Sequence, residues 1–436
     1  MADPFLPERS RENAPLLRSR RFLPIFVAQA LGAFHDNLLK GAIVVLAVFT
    51  GDPETGAAAA TMAGAVLVLP FLVFSGLAGE LADRLPKPRL VRWIKFAEIP
   101  LGVTATLALL AASAPAALSV LFLMGVQSTF FGPLKYGILP ELLREEELVA
   151  ANGHIEASTF LAILVGTILG SVLFTLDGGP WLVGAAGLAA SVIGWLATLA
   201  LPDCPAAAPE LPRRIALLRP TLALLRGLRR QREVWHASLA ISWFWALGGV
   251  YLAQIPAFAR AELGANERAA TLFLATFVFG IAVGALATRR LVHDRVSLAP
   301  VPWALAAIAL LGLDLVHATE DIAPFATPAG PTAFLAARGV WRLLVDLFAL
   351  ALAGGVFVVP LYAFLQARAP REARGRIVAA NNIVNALFLV LSAAIVAAAL
   401  AAGAEIEEVL LATAGLNFLC TLPLFRFAAA RRRASI

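Results

Sequence analysis

Long apolar stretches separated by short polar breaks run the length of the chain. Divided at Pro, Gly and charged positions, they predict helices near residues 22–49, 58–82, 90–112, 116–138, 152–175 and 181–201, then a second set near 236–259, 269–289, 298–317, 345–367, 377–402 and 408–426. A helix needs roughly 20 residues to cross about 30 Å of hydrocarbon, and each stretch is about that long or longer. Runs such as residues 185–201 are apolar all round, which excludes the short alternating strands of a membrane barrel. In lipid the backbone must satisfy itself, so these stretches are helices. The expected fold is an all-α membrane protein of 12 transmembrane helices in two six-helix bundles.

Composition supports this: 60% of residues are hydrophobic, 15% are charged, and the mean hydropathy is +0.82. The distribution of the +6 net charge says more than its size. With the N-terminus in the cytoplasm, 30 of the 35 Lys and Arg residues fall in cytoplasmic segments. Arg260, Arg268, Arg338 and Arg342 fall on the other side, and Lys40 lies inside the first helix. The implied organisation is a cytoplasmic tail at 1–21, a first half at 22–201, a basic linker at 202–235, a second half at 236–426 and a basic tail at 427–436. The linker carries seven arginines, which suit orientation and contact with anionic lipid headgroups. Topology accounts for the positive charge, so no nucleic-acid partner is expected. The N-terminal segment has no small-residue cleavage site before the first apolar run and is read as a retained tail. Cys204 and Cys420 lie far apart without ligand-like spacing, so neither a disulfide nor a metal site is expected, and no cofactor is indicated. Residues 318–345 contain three prolines and are expected to hold a short surface helix.

An internal echo relates the halves. Gly-Pro-Leu at 132–134 and Val-Ala-Ala-Asn at 149–152 return as Val-Pro-Leu at 359–361 and Val-Ala-Ala-Asn at 378–381, offset by 227 and 229 residues. Both copies fall at the end of the fourth helix of a half and the start of its fifth, which points to a parallel repeat about an axis along the membrane normal.

Polar residues on these apolar helices are the candidate chemistry. Asp36, with Asn37 beside it and Lys40 one turn on, sits near the middle of the first helix, where an ionised side chain costs about 2.5–3.5 kcal/mol on insertion scales. Either Asp36 and Lys40 neutralise each other at i,i+4, or Asp36 lines a polar path for a charged headgroup or coupling ion. His35 is read as a hydrogen-bonded helix contact on another face. Lys135 and Tyr136 end the fourth helix, and Asn152 and Glu156 share a face of the fifth, so Lys135 and Glu156 are placed to pair across the turn, as a structural tie or as a headgroup contact. Gln29, Gln127, Gln254, Asn381, Asn382 and Asn385 are further polar groups suited to interhelical hydrogen bonds, and Glu98, Asp314 and Asp346 are further acidic candidates. After the second helix, GELADRLPKPRLVR places Gly79, Asp83, Arg84 and Lys87 at a helix end. Such a turn either sets topology or pairs with a neighbouring helix terminus and latches one conformation.

The segments AFHDNLLK, LPFLVFSGLAGELADRLPK, GPLKYGILPELL and VAANGHIEASTFLAILVGTILG closely resemble the lysophospholipid transporter family, a branch of the major-facilitator superfamily. The later VVPLYAFLQ and Asn-rich segments also fit. The resemblance implies twelve helices in the bacterial inner membrane and a non-enzymatic flippase. It would move lysophosphatidylethanolamine and related lysophospholipids from the outer to the inner leaflet, where an acyl-ACP-dependent acyltransferase rebuilds the diacyl lipid. The family's first-helix acid maps onto Asp36, its helix-four to helix-five signature onto Lys135, Tyr136, Asn152 and Glu156, and its conformational loop onto Gly79, Asp83, Arg84 and Lys87. Some members pair the acid with a helix-seven arginine. Here SWFWALGGVYLAQIP has none, which leaves Gln254 and Lys40 as candidate replacements. No His is followed by Asp five residues later, the spacing of the fused acyltransferases of some relatives. A proton-coupled exporter of drugs or small metabolites and a lipid-modifying enzyme remain the competing readings.

Overall fold

A computed structural model of the chain describes residues 15–50, 53–211, 218–320, 322 and 325–434. Twelve helices of at least 20 residues dominate it: α1 (Leu23–Thr50), α2 (Pro53–Arg84), α3 (Lys87–Leu110), α4 (Ala114–Gly137), α6 (Leu148–Phe174), α7 (Gly179–Thr198), α9 (Arg232–Ala261), α10 (Glu267–Val292), α11 (Val301–Glu320), α13 (Val340–Arg368), α14 (Arg374–Ala401) and α15 (Ile406–Ala434). Three short helices join them: α5 (Leu139–Leu142), α8 (Leu218–Arg230) and α12 (Pro331–Ala336). Eleven of the long helices are long and apolar enough to cross a membrane within the described residues, so the chain is a multi-pass membrane protein.

Local sequence sets the helix ends. Ser113 caps α4 by accepting from Ala116 N–H at 3.4 Å, and Asn266 caps α10 by accepting from Arg268 and Ala269 N–H at 3.1 and 3.0 Å. Helix α6 ends where Gly178, at φ +70°, reverses the chain into α7. The proline-rich segment before α13 does contain a helix, α12, whose Phe334 is fully buried against Phe273 and Phe325. The basic linker is also partly helical: its arginine-rich stretch forms α8, which hydropathy segmentation passes over because α8 is too short and too polar to be a span.

Packing repeats between the halves. Helix α1 packs on α6 and α7, as α9 packs on α14 and α15; α2 packs on α4 as α10 packs on α13; and α3 packs on α7 and α4 as α11 packs on α15 and α13. Small residues let the backbones approach. A Cβ on Gly170 of α6 would lie 1.9 Å from the Leu38 carbonyl of α1, and one on Gly284 of α10 would lie 1.9 Å from the Leu352 carbonyl of α13. Between the halves, α2 packs against α14 and α6 against α10, whereas α1 and α9 do not pack along each other in the described residues. These contacts include Gly79 seated on Arg376 and Ala379, and Gly153 seated on Ala285. They lie at the end of the bundle that carries most of the basic loops, called the basic face below.

Candidate functional site

A cavity of about 240 Å³ lies between the halves. Helix α1 lines it with Gln29, Gly32, Ala33 and Asp36, α4 with Ser128, Phe131, Gly132 and Lys135, and α14 with Asn382, Asn385, Ala386 and Leu389. Each set is spaced i, i+3, i+4, i+7, one face of a helix. Val68 and Phe71 of α2, Lys95 and Glu98 of α3, Gln127 and Tyr136 of α4, Trp245 of α9 and Tyr362 of α13 complete the wall.

The charged groups belong mostly to the first half. The Asp36 carboxylate accepts from Ser128 Oγ at 2.7 Å and lies 3.2 Å from Nδ1 of the fully buried His35. It has no Lys or Arg partner among the described residues. Glu98 Oε1 accepts from Lys95 Nζ at 2.5 Å and from Gln127 Nε2 at 2.9 Å, while the Lys95 ammonium also sits 4.2 Å above the Phe131 ring. A Cβ at position 32 would fall 1.9 Å from the Lys95 ammonium, so any larger residue there displaces that side chain from its present place. Lys135 is held over the Tyr136 ring at 4.7 Å rather than by a carboxylate. The Lys95–Glu98 pair neutralises itself, leaving Asp36, beside His35, and Lys135 as opposite charges that no Lys, Arg, Asp or Glu pairs with among the described residues. Ser128, which holds Asp36, and Lys135 are seven residues apart along α4, about 10 Å of helix rise.

Below the cavity, towards the basic face, the halves close in layers. Tyr136 and Tyr362 stack with centroids 4.4 Å apart and planes 6° from parallel. Tyr136 donates to Glu156 at 2.5 Å, and Trp245 donates to Tyr362 at 2.9 Å. One layer further, the amides of Asn152 and Gln366 exchange hydrogen bonds at 2.8 and 2.9 Å, both residues fully buried. At the basic face Asp83 of α2 accepts from Gly375 and Arg376 N–H, at 2.6 and 3.1 Å, and pairs with the Arg376 side chain at 3.0 Å. Ala373, at the N-cap of α14, has no capping side chain, so Asp83 supplies the cap from the other half. Lys87, fully buried, pairs with Glu141 in a short contact. Arg84 makes no hydrogen bond or ion pair among the described residues.

Several sequence expectations need correction. Lys40 does not pair with Asp36, does not line the cavity, and makes no ion pair among the described residues. Asn37 faces α6 beside Gly166, its amide bonded to the Ala33 carbonyl at 2.8 Å, because one step along a helix turns a side chain by about 100°. Gln254 lies nine residues beyond Trp245, about 13 Å along α9, and does not reach the cavity. Neither Lys40 nor Gln254 lies on the wall of this cavity. Lys135 and Glu156 form no salt bridge: Glu156 accepts from the Tyr136 hydroxyl, and the Lys135 ammonium lies over the Tyr136 ring. Lys95, counted with the basic loops, lies two turns inside α3 and faces the cavity. Residues overlooked from sequence are Lys95, Ser128, Trp245, Tyr362 and Gln366. The 227-residue offset that pairs Lys135 with Tyr362 was the available signal for Tyr362. Burial, aided by nearby Glu141, pushes the Cys204 thiol up to about 11, which suits an unreactive cysteine.

A sequence model of the Major Facilitator Superfamily matches residues 22–327. The chain is 30% identical over 387 residues to the lysophospholipid transporter LplT of Cronobacter sakazakii, covering 87% of this chain and 88% of that one. It is 30% identical over 381 residues to LplT of Escherichia coli O7:K1, covering 84% and 85%. The fold is similar to that of the human organic anion transporter MFSD10 (TM-score 0.72, 19% identity, 94% of this chain and 99% of that one). It is also similar to that of the E. coli fucose:proton symporter FucP (TM-score 0.67, 14% identity, 93% and 98%). The chain belongs to the major facilitator superfamily and, within it, to the lysophospholipid transporter family.

Proposed function

We propose that the protein carries lysophospholipids across the bacterial inner membrane, taking lysophosphatidylethanolamine and related lipids from the outer to the inner leaflet. The basic face, with both termini, is then cytoplasmic by the positive-inside rule. The observation that carries this reading is the placement of Asp36 and Lys135, two opposite charges that no Lys, Arg, Asp or Glu among the described residues pairs with, on one cavity whose wall combines apolar Val68, Phe71, Phe131, Trp245 and Leu389 with polar groups such as Gln29, Asn382 and Asn385. A zwitterionic headgroup offers an ammonium to Asp36 and a phosphodiester to Lys135. A cavity of about 240 Å³ takes the headgroup rather than the whole lipid, so the acyl chain stays along apolar helix surfaces or in the bilayer. The cytoplasmic side is closed by the layers from Tyr136–Tyr362 to Asp83–Gly375, the outward-facing arrangement of an alternating-access carrier. In this reading Gly79, Asp83 and Lys87 act as the conformational switch, and the delivered lipid is the substrate of an acyl-ACP-dependent acyltransferase in the inner leaflet.

Uptake of labelled lysophosphatidylethanolamine into proteoliposomes tests the reading. Uptake above that of empty vesicles, lost in Asp36→Ala, is expected. Equal uptake with and without protein overturns it, and transport of small soluble organic ions in its place favours the exporter.

A further inference from the structure

The transport cycle above gives helix α8 no role. From Thr221 onward it presents two strips. Thr221, Leu225 and Leu228, spaced i, i+4, i+7, turn inward, with Leu228 only 1% exposed. Leu222, Arg226, Arg229 and Arg230, spaced i, i+4, i+7, i+8, turn outward and are all exposed. No carboxylate among the described residues holds Arg226 or Arg230, and Arg229 lies 5.8 Å over the Trp235 ring.

The inward strip rests on α2 and α14 together, the two helices joined across the halves by Asp83, and α8 continues into α9. The linker is tied to the same point further back, where Ala208 N–H donates to the Asp83 carbonyl at 2.8 Å. Further along the same two helices, Leu69 of α2 and Leu391 and Ile395 of α14 are exposed, the last at 68%. Exposed apolar side chains on spanning helices meet hydrocarbon, so a polar helix seated at the basic end of these two, where the linker joins Asp83, belongs at the headgroup level. An exposed leucine beside three exposed arginines is the composition of a helix lying in such an interface.

We propose that α8 is a docking surface for anionic phospholipid headgroups, and that their binding favours the conformation in which α2 and α14 are joined. The coupling follows from the seat. Lipid bound to the outer strip holds α8 in the membrane plane, and only while α2 and α14 are together does α8 have its inner seat intact. A ligand that prefers one state shifts the equilibrium towards it. The proposal concerns the conformational equilibrium and holds whatever the transported substrate.

The test places spin labels at Arg89→Cys and Glu372→Cys, two exposed positions at the basic face, in a Cys204→Ser, Cys420→Ser background. Distance distributions are compared in phosphatidylcholine vesicles and in vesicles containing phosphatidylglycerol. Anionic lipid is expected to raise the ratio of short to long distances about fivefold, the lower end of typical ligand coupling. Arg226→Gln/Arg229→Gln/Arg230→Gln is expected to abolish that response while leaving the distribution in phosphatidylcholine unchanged. Salt of about 1 M, with a Debye length near 3 Å, is expected to suppress it in the parent protein. The proposal is overturned by equal distributions in the two lipids, by an undiminished response in the triple variant, or by soluble inorganic phosphate producing the same shift in phosphatidylcholine.

Discussion

Asp83 of α2 caps α14 of the other half, receiving the Gly375 N–H at 2.6 Å, while its own carbonyl holds the linker at Ala208. One side chain thus joins the helix-end chemistry of one half to the position of the other. Glycine at 79, one turn earlier, allows the contact, since a Cβ there would fall 2.7 Å from that of Ala379.

Asp83→Ala is expected to loosen this closure. Removing a helix cap costs about 0.5–2 kcal/mol, and removing the ion pair with Arg376 adds to it, so the open population rises roughly 5–30-fold. Alkylation of a cysteine at the fully buried position 379 (Ala379→Cys) should accelerate accordingly. An unchanged rate would remove Asp83 from the switch.

The Asn152–Gln366 pair calls for a double-mutant cycle. Asn152→Leu alone leaves a buried amide unsatisfied, at about 1–3 kcal/mol, whereas Asn152→Leu/Gln366→Leu replaces both polar partners and should recover much of that loss. Thermal unfolding in detergent reads the difference. Additive losses would mean the two amides do not depend on each other.

Transport should separate cavity residues from their neighbours. Asp36→Asn keeps the shape and a hydrogen-bond acceptor for Ser128 but removes the charge, and Lys135→Gln does the same at the other pole. Loss of a charge-assisted contact worth about 1.5–3 kcal/mol predicts a fall in lysophospholipid uptake of roughly 10–100-fold for each. Lys40 and Gln254 do not line the cavity, so Lys40→Gln and Gln254→Ala should stay within about twofold of the parent, inside the usual scatter of surface changes. The reverse ranking would mean the headgroup site lies elsewhere.

The buried Lys95–Glu98 pair should behave as a unit. Glu98→Leu strands the Lys95 ammonium at a cost of order 3–5 kcal/mol, while Lys95→Met/Glu98→Leu should be markedly more stable than Glu98→Leu. Melting temperatures of the two variants decide it, and a double variant less stable than Glu98→Leu would contradict the pairing.

Hydropathy and charge pattern were enough to locate the long helices, because crossing lipid demands length and apolarity that no neighbour can supply. The repeat at Pro133 and Pro360 pointed to the equivalence of the halves, and the acid at Asp36 stood out because a charge on an apolar helix is conspicuous in one dimension. Its partners did not. Whether Asp36 meets Lys40, one turn along its own helix, or Ser128 on α4 depends on how α1 is rotated against α4, which interhelical packing sets. The same holds for Glu156, which meets Tyr136 and not Lys135, and for Lys95, which lay inside the expected helix at 90–112 but was counted with the basic loops, because only the packing of α3 turns it to the cavity. The sequence by itself determined the spans, the repeat and the list of polar residues that must be accommodated in lipid. The tertiary structure alone decided which of them meet, because contacts across the two halves, Asp83 with Gly375 and Asn152 with Gln366, join residues 292 and 214 positions apart and are set by how whole helices pack.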